Sequence, residues 1–126
     1  MSASRSTQRR QRVGEEIRHR LAAIFARAPF HDPELARARI TVTEVRMSAD
    51  LRHATAYITR LGRSDIGALL PALERATPFL QREVAGGLHL RFAPKLRLLP
   101  DAALERASRI EAVLRSAEVA RDLAPR

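Results

Sequence analysis

Cysteine and tryptophan are absent from this chain of 126 residues, and its aromatics are four phenylalanines and one tyrosine. Without cysteine there are no disulfides, no thiolate metal sites and no cysteine nucleophile; such a composition suits a reducing cytoplasm. So few rings, most of them inside apolar stripes, argue against a surface that stacks bases on aromatics. The N-terminal MSASRSTQRRQR has no apolar run after its charges, so no secretory signal is expected, and no window is long and apolar enough to span a bilayer. There is no Gly-rich phosphate loop ending in Gly-Lys-Ser or Gly-Lys-Thr, and His19, His31, His53 and His89 show no metal-ligand spacing. These histidines read as surface or loop residues. Asp50 and Asp101 read as turn and capping residues, and neither a cofactor nor a catalytic constellation is expected.

What is abundant is arginine. The formal net charge is +9 and the pI about 11.6, and of 23 basic residues only Lys95 is lysine. A GC-rich genome can favour arginine over lysine, but it does not choose arginine over glutamate, so the charge excess points to an anionic partner, nucleic acid first. The length suits one domain that buries roughly two thirds of its unfolded surface.

A helix is expected from about Ser6, where Val13, Ile17, Leu21, Ile24, Phe25 and Ala28 recur at steps of three and four. Residues 1–7 read as a disordered basic lead-in and 124–126 as a frayed end. Arg9, Arg10 and Arg12 crowd the first turns, where positive charge opposes the helix dipole, so binding explains them better than helix stability does. Pro29 ends the helix, and Asp32-Pro33 marks a turn or a short capped coil. ITVTEVRM, residues 40–47, is a strand whose apolar parity shifts after Val42, meaning either a bulge or a strand covered on both faces. Residues 48–51 turn the chain into a second strand over 52–60, completing a hairpin. A loop follows at 62–65, and a helix starts between 64 and 69.

The stretch ALERATPFLQREVAGGLHLRFAPKLRLL, residues 72–99, organises the rest. Its helix is expected to break at Ala76-Thr77-Pro78, because proline lacks an amide hydrogen and clashes with the preceding turn. Thr77 then caps a second helix, which ends at a left-handed Gly86 or Gly87. A strand over 88–99 places Leu88, Leu90, Phe92, Leu96 and Leu98 on one face and His89, Arg91, Lys95 and Arg97 on the other. Pro94 assigns it to an edge or a bulge. A last helix runs over 102 to about 122 with a thin, alanine-rich stripe. The fold class is α+β: a three-stranded sheet with helices on one face, in the order α-β-β-α-kink-α-β, plus a C-terminal helix. Residues 8–100 form the domain and 101–126 the terminal helix and tail.

The segments RVGEEIRHRLAAI (12–24), ITVTEVRMSADLRHATAYI (40–58) and ALERATPFLQREVAGGLHLRFAPKLRLLPD (72–101) resemble the ribosome-binding factor A family of bacterial small-subunit maturation factors. The resemblance implies a type II KH-like fold in which an Ala-X-Gly kink replaces the glycine-rich loop, with Pro78 here at the glycine position. It further implies binding to the small ribosomal subunit and its 16S ribosomal RNA late in assembly, release from the mature particle, and a link to growth in the cold. A protein of this kind acts in the cytoplasm and is a monomer when free.

KH-type recognition holds single-stranded RNA between a helical corner and a strand edge. That places Arg75, Ala76, Thr77 and Arg82 at the corner and Arg91, Lys95 and Arg97 on the strand, with Arg9, Arg10 and Arg12 as a further basic contact. Phosphate contacts of this kind position a protein without reading sequence. Other classes remain open at this level: a general KH-like RNA-binding module, a small ribonuclease using His53 or His89, or a dimer paired through the edge at 88–99. New RNA ends would identify the nuclease and a doubled mass the dimer.

Overall fold

The computed structural model describes residues 2–27, 30, 32–60 and 66–123. Its elements are helix α1 (Ser2–Arg27), short helix α2 (Pro33–Arg37), strands β1 (Ile40–Met47) and β2 (His53–Arg60), helix α3 (Leu70–Ala85) entered through a tight turn at Gly67–Leu69, strand β3 (Lys95–Pro100) and helix α4 (Ala102–Leu123). The sheet order is β1-β2-β3, with β1 antiparallel and β3 parallel to the central β2. This is the expected α+β arrangement. The expected loop at 62–65, His31, the helix stop at Ala28-Pro29 and the tail at 124–126 lie outside the described residues.

The stripe on α1 buries Val13, Ile17, Leu21 and Ile24. The helix begins at Ser2, so residues 2–7 are helical rather than a disordered lead-in. Gly14 sets how closely α1 lies on the sheet: a Cβ there would stand 2.6 Å from the Val45 carbonyl oxygen, too near for any real side chain.

The hairpin resolves the parity shift in β1. Register runs Val42 to Ile58 and then Glu44 to Tyr57, leaving Thr43 as the extra residue of a bulge. The bulge resets the alternation, so Val42 before it and Val45 and Met47 after it all face the core. The turn holds Leu51 at φ 60°, a region that costs a leucine about 1 kcal/mol or more. It is fixed by the Leu51 amide donating to the Ser48 carbonyl at 3.0 Å and by the Ser48 hydroxyl donating to Asp50 Oδ1 at 2.6 Å.

Four local expectations are corrected. Helix α3 runs unbroken from Leu70 to Ala85 with Pro78 inside it. Thr77 caps nothing; its hydroxyl donates back to the Leu73 carbonyl at 2.8 Å. Leu73 and Leu80, on either side of Pro78, are fully buried, so packing at both ends holds the helix together against a penalty of about 3 kcal/mol. The strand expected over 88–99 occupies only Lys95–Pro100. Pro94 has no amide to give a ladder, and pairing begins one residue later, where the Lys95 amide donates to the Arg52 carbonyl at 2.8 Å. Gly86 closes α3 in the right-handed region, at φ −60° and ψ −19°, so the left-handed cap is absent. The Gly-Gly pair has another reason: Arg20 donates to the Gly87 carbonyl at 2.7 Å, and a Cβ at Gly87 would overlap that guanidinium.

β3 lies at the edge, as Pro94 indicated. Amides along a strand alternate in direction, so those of residues 96 and 98 point away from β2. Gln81 on α3 accepts the Leu96 amide at 2.9 Å and Pro100 has none to offer, which leaves little ladder for another strand to join. At the far end Asp101 anchors α4. Its amide donates to the Ile58 carbonyl at 2.8 Å, its carboxylate accepts the Thr43 hydroxyl at 2.6 Å, and its other oxygen caps the Leu104 amide at 3.1 Å. Beyond this anchor Leu104, Ile110, Val113 and Leu114 are exposed, in keeping with the thin stripe.

Two outcomes follow from these contacts. Gly14→Ala should force α1 off β1 at a cost of about 1–3 kcal/mol, seen as a lower urea midpoint; a net gain would show that the helix has room to move. The Thr43 hydroxyl, and then the Leu104 amide, hold the Asp101 carboxyl below the usual carboxylate range. The folded state therefore gains stability from the ionised form above the unfolded pKa and loses it as pH falls through the folded one. Asp101→Ala should cost about 1 kcal/mol and remove hydrogen-exchange protection at Leu104 near neutral pH, and the stability of the wild type should converge on the variant's in acid.

Candidate nucleic-acid interface

Helix α3 carries side chains into two grooves, one on each flank. Between α3 and the edge strand lies a groove of about 340 Å³ lined by Leu70, Leu73, Thr77, Leu96, Leu98 and Leu99, with Glu74 and Arg97 at its rim. Its floor is apolar because the even residues of β3 turn toward α3 and are half-buried, while Lys95 and Arg97 stay exposed. The groove therefore joins an apolar surface, an edge backbone and positive charge, the combination that holds unpaired nucleotides. Glu74 tempers the charge on the helical side.

The opposite flank is a wider groove of about 450 Å³ between α3 and the segment that includes α2, lined by Phe30, Asp32, Leu35, Ala72, Arg75, Ala76, Phe79 and Arg82. Phe30 meets Phe25 at 5.7 Å and Phe79 edge-on at 6.3 Å. Arg75 is not a free cation here. It donates to Asp32 Oδ2 at 2.8 Å, and that bond, together with the Glu34 amide, holds the Asp32 carboxyl below its ordinary range. Arg82 is exposed and has no carboxylate partner among the described residues.

The expected corner is thus divided. Thr77 shares the strand-side groove with Arg97, whereas Arg75, Ala76 and Arg82 line the other flank, because an unbroken helix sends residues one or two positions apart to different faces. Arg91 leaves the strand altogether. It lies in the irregular segment ahead of β3 and shares a third groove with Arg9, Asp50, Leu51, Leu90 and Phe92. Arg12 is exposed on α1, and Arg10 is half-buried with its guanidinium donating to the Thr7 hydroxyl at 3.2 Å.

The open face of the sheet holds residues that periodicity alone did not single out. The register places Arg46 beside Thr55 and Thr55 beside Arg97, and pairs His53 with Lys95. The Arg46 guanidinium stands 5.7 Å from the Tyr57 ring and bonds Glu44 at 2.9 Å. The signal was present in the alternation of 52–60, which sends Thr55, Tyr57 and Thr59 away from the helices, but only the pairing shows what stands next to them.

The sequence profile of ribosome-binding factor A matches residues 9–114. The chain belongs to the ribosome-binding factor A family. A family protein from Rhodospirillum rubrum is 49% identical over 93% of this chain and 71% of its own length, and one from Methylobacterium nodulans 49% identical over 94% and 88%. Among solved structures, ribosome-binding factor A from Thermus thermophilus superposes with a TM-score of 0.60 at 27% identity, covering 72% of this chain and 94% of its own. A second set of Thermus thermophilus coordinates, fitted into a cryo-EM map of a complex of the 30S subunit with ribosome-binding factor A, aligns with a TM-score of 0.54 at 31% identity over 68% of this chain and 88% of its own.

Within this member of the ribosome-binding factor A family, and among the described residues, Arg97 on one flank of α3 and Arg82 on the other have no carboxylate partner, whereas Arg75 is paired with Asp32. Arg97→Ala should weaken RNA binding and lower the slope of log affinity against log salt by about one. Arg75→Ala should change affinity far less, and Asp32→Asn should raise it by releasing Arg75; filter binding at several salt concentrations reads all three.

Proposed function

We propose that this protein binds the immature small ribosomal subunit through its 16S ribosomal RNA, assists late maturation and RNA processing, and then leaves the finished particle. Family membership supports the reading, as does the Thermus thermophilus relative fitted into a complex with the 30S subunit. The observation that carries it is the groove between α3 and β3, with its leucine floor and Arg97 in its lining, on an edge strand that also exposes Lys95. Unpaired nucleotides lie along that floor, Thr77 offers its hydroxyl oxygen, and Lys95 and Arg97 take phosphates. Arg82, Ala76 and Arg75 extend the surface across α3, and Arg9, Arg10, Arg12 and Arg91 extend it past the start of β3. Contacts of this composition follow backbone and shape more than base identity. The protein acts in the cytoplasm as a monomer and without a cofactor.

Equilibrium binding to purified immature and mature small subunits across a salt series tests the proposal. Tighter binding to the immature particle, with a steep salt slope from several released counterions, is the expected result. Equal, weak binding to both particles and to any RNA would reduce the reading to a basic KH-like module.

A further inference from the structure

The third groove contains a ring that the groove between α3 and β3 leaves unused. Phe92 was expected on the buried face of a strand, yet it is 50% exposed. The Arg52 guanidinium lies 4.5 Å from its centroid and that of Arg91 lies at 5.8 Å. Arg9 of α1 lines the same groove, although it is about eighty residues away in sequence. Two arginines thus lie against one exposed aromatic ring, and a third, from α1, lines the groove that the ring faces.

The surroundings hold this arrangement in place. Arg52 follows the strained Leu51, its amide donates to Asp50 Oδ1 at 3.1 Å, and its carbonyl accepts the Lys95 amide at 2.8 Å. Ala93, which links Phe92 to the buried Pro94, is confined to extended backbone by that proline. The ionised carboxylate of Asp50 also lines the groove, its Oδ1 accepting the Ser48 hydroxyl and the Arg52 amide, and its single negative charge is outnumbered by the arginines. An exposed phenylalanine against a guanidinium forms a layered apolar and cationic surface, and unpaired bases stack on both kinds of plane.

We propose that Phe92 and Arg52 form a stacking platform for one unpaired base, with Arg9 and Arg91 holding the flanking phosphates. Phe92 lies three residues ahead of β3, so the platform stands near the Lys95 end of the strand whose Leu96–Leu99 stretch lines the groove beside α3. The inference rests on the RNA-binding reading and adds to it the one place where a base is gripped by its face. The excess of arginine around the ring favours a polyanion over an apolar peptide as the occupant.

The absence of tryptophan supplies the experiment. Phe92→Trp introduces one tryptophan, excited apart from Tyr57 and titrated with a short single-stranded oligoadenylate while the anisotropy of labelled RNA reports binding separately. Stacking predicts quenching of the tryptophan in step with binding. It also predicts that Phe92→Leu loses about fivefold to a hundredfold in affinity with an unchanged salt slope, since base–aromatic stacking is worth about 1–3 kcal/mol. RNA binding without quenching, and with Phe92→Leu at wild-type affinity, would overturn the platform and leave the RNA-binding reading standing. Absence of RNA binding by the wild-type protein at low salt would overturn both. Urea unfolding of Phe92→Leu distinguishes a lost contact from a lost fold, and Phe92→Tyr, which keeps a ring, should retain most of the affinity.

Discussion

Ala54, Ala56 and Ile58 on β2 face the helices and are at most 1% exposed, and each stands between an apolar partner on either side. The rows are Met47–Ala54–Leu96, Val45–Ala56–Leu98 and Val42–Ile58–Pro100. A strand with neighbours on both edges and helices over one face has few options: large side chains at all three central positions would lift the helices off the sheet. Two alanines let α1 and α3 settle close, and Gly14 extends the same close approach to β1, where helix and strand backbones come nearly into contact. The bulge at Thr43 is a consequence of the same constraint. Without the extra residue, Val45 and Met47 would point to the open face and two of the three rows would lose a member.

That constraint was legible where it acts through short-range alternation. The shift from Ile40 and Val42 to Val45 and Met47 allowed a bulge, and the register places one at Thr43. The hairpin, the edge position of β3 and the thin stripe of α4 were readable for the same reason: each depends on residues within a turn or two. Pro78 was misjudged because its local preference is real and is overridden from a distance, by the burial of Leu73 and Leu80. The alternation of 88–94 matched a strand, but a strand needs a neighbour, and β2 has none of its length left to offer ahead of Lys95. His53, the first residue of β2, already pairs with Lys95. Periodicity describes a face without saying whether a partner reaches it.

Charge follows the same division between local and distant. Arg18 is held by Glu15, Arg46 by Glu44 and Arg75 by Asp32, so a surplus of arginine in the composition is not a surplus of free cations on the surface. The pairs within α1 and β1 could be anticipated from spacing, whereas Arg75 and Asp32 are brought together only by the fold. Exposed ion pairs add little to stability. Their consequence here lies in which arginines they leave unpaired: among the described residues Arg82, Arg91 and Arg97 have no carboxylate partner.

The open flank of the molecule is therefore graded in character. The groove beside β3 is lined by leucines with Glu74 and Arg97, and a second groove ahead of β3 holds Arg9, Arg91 and Phe92. A nucleic-acid strand presents its charge evenly along the backbone but its bases individually, so two grooves of such different character would favour one direction of lie over the reverse. Gln81 reinforces this by occupying the Leu96 amide, leaving the backbone of Leu98 as the accessible part of the edge. A polar backbone edge at one end and a cation-backed ring at the other would orient a short unpaired segment without reading its sequence.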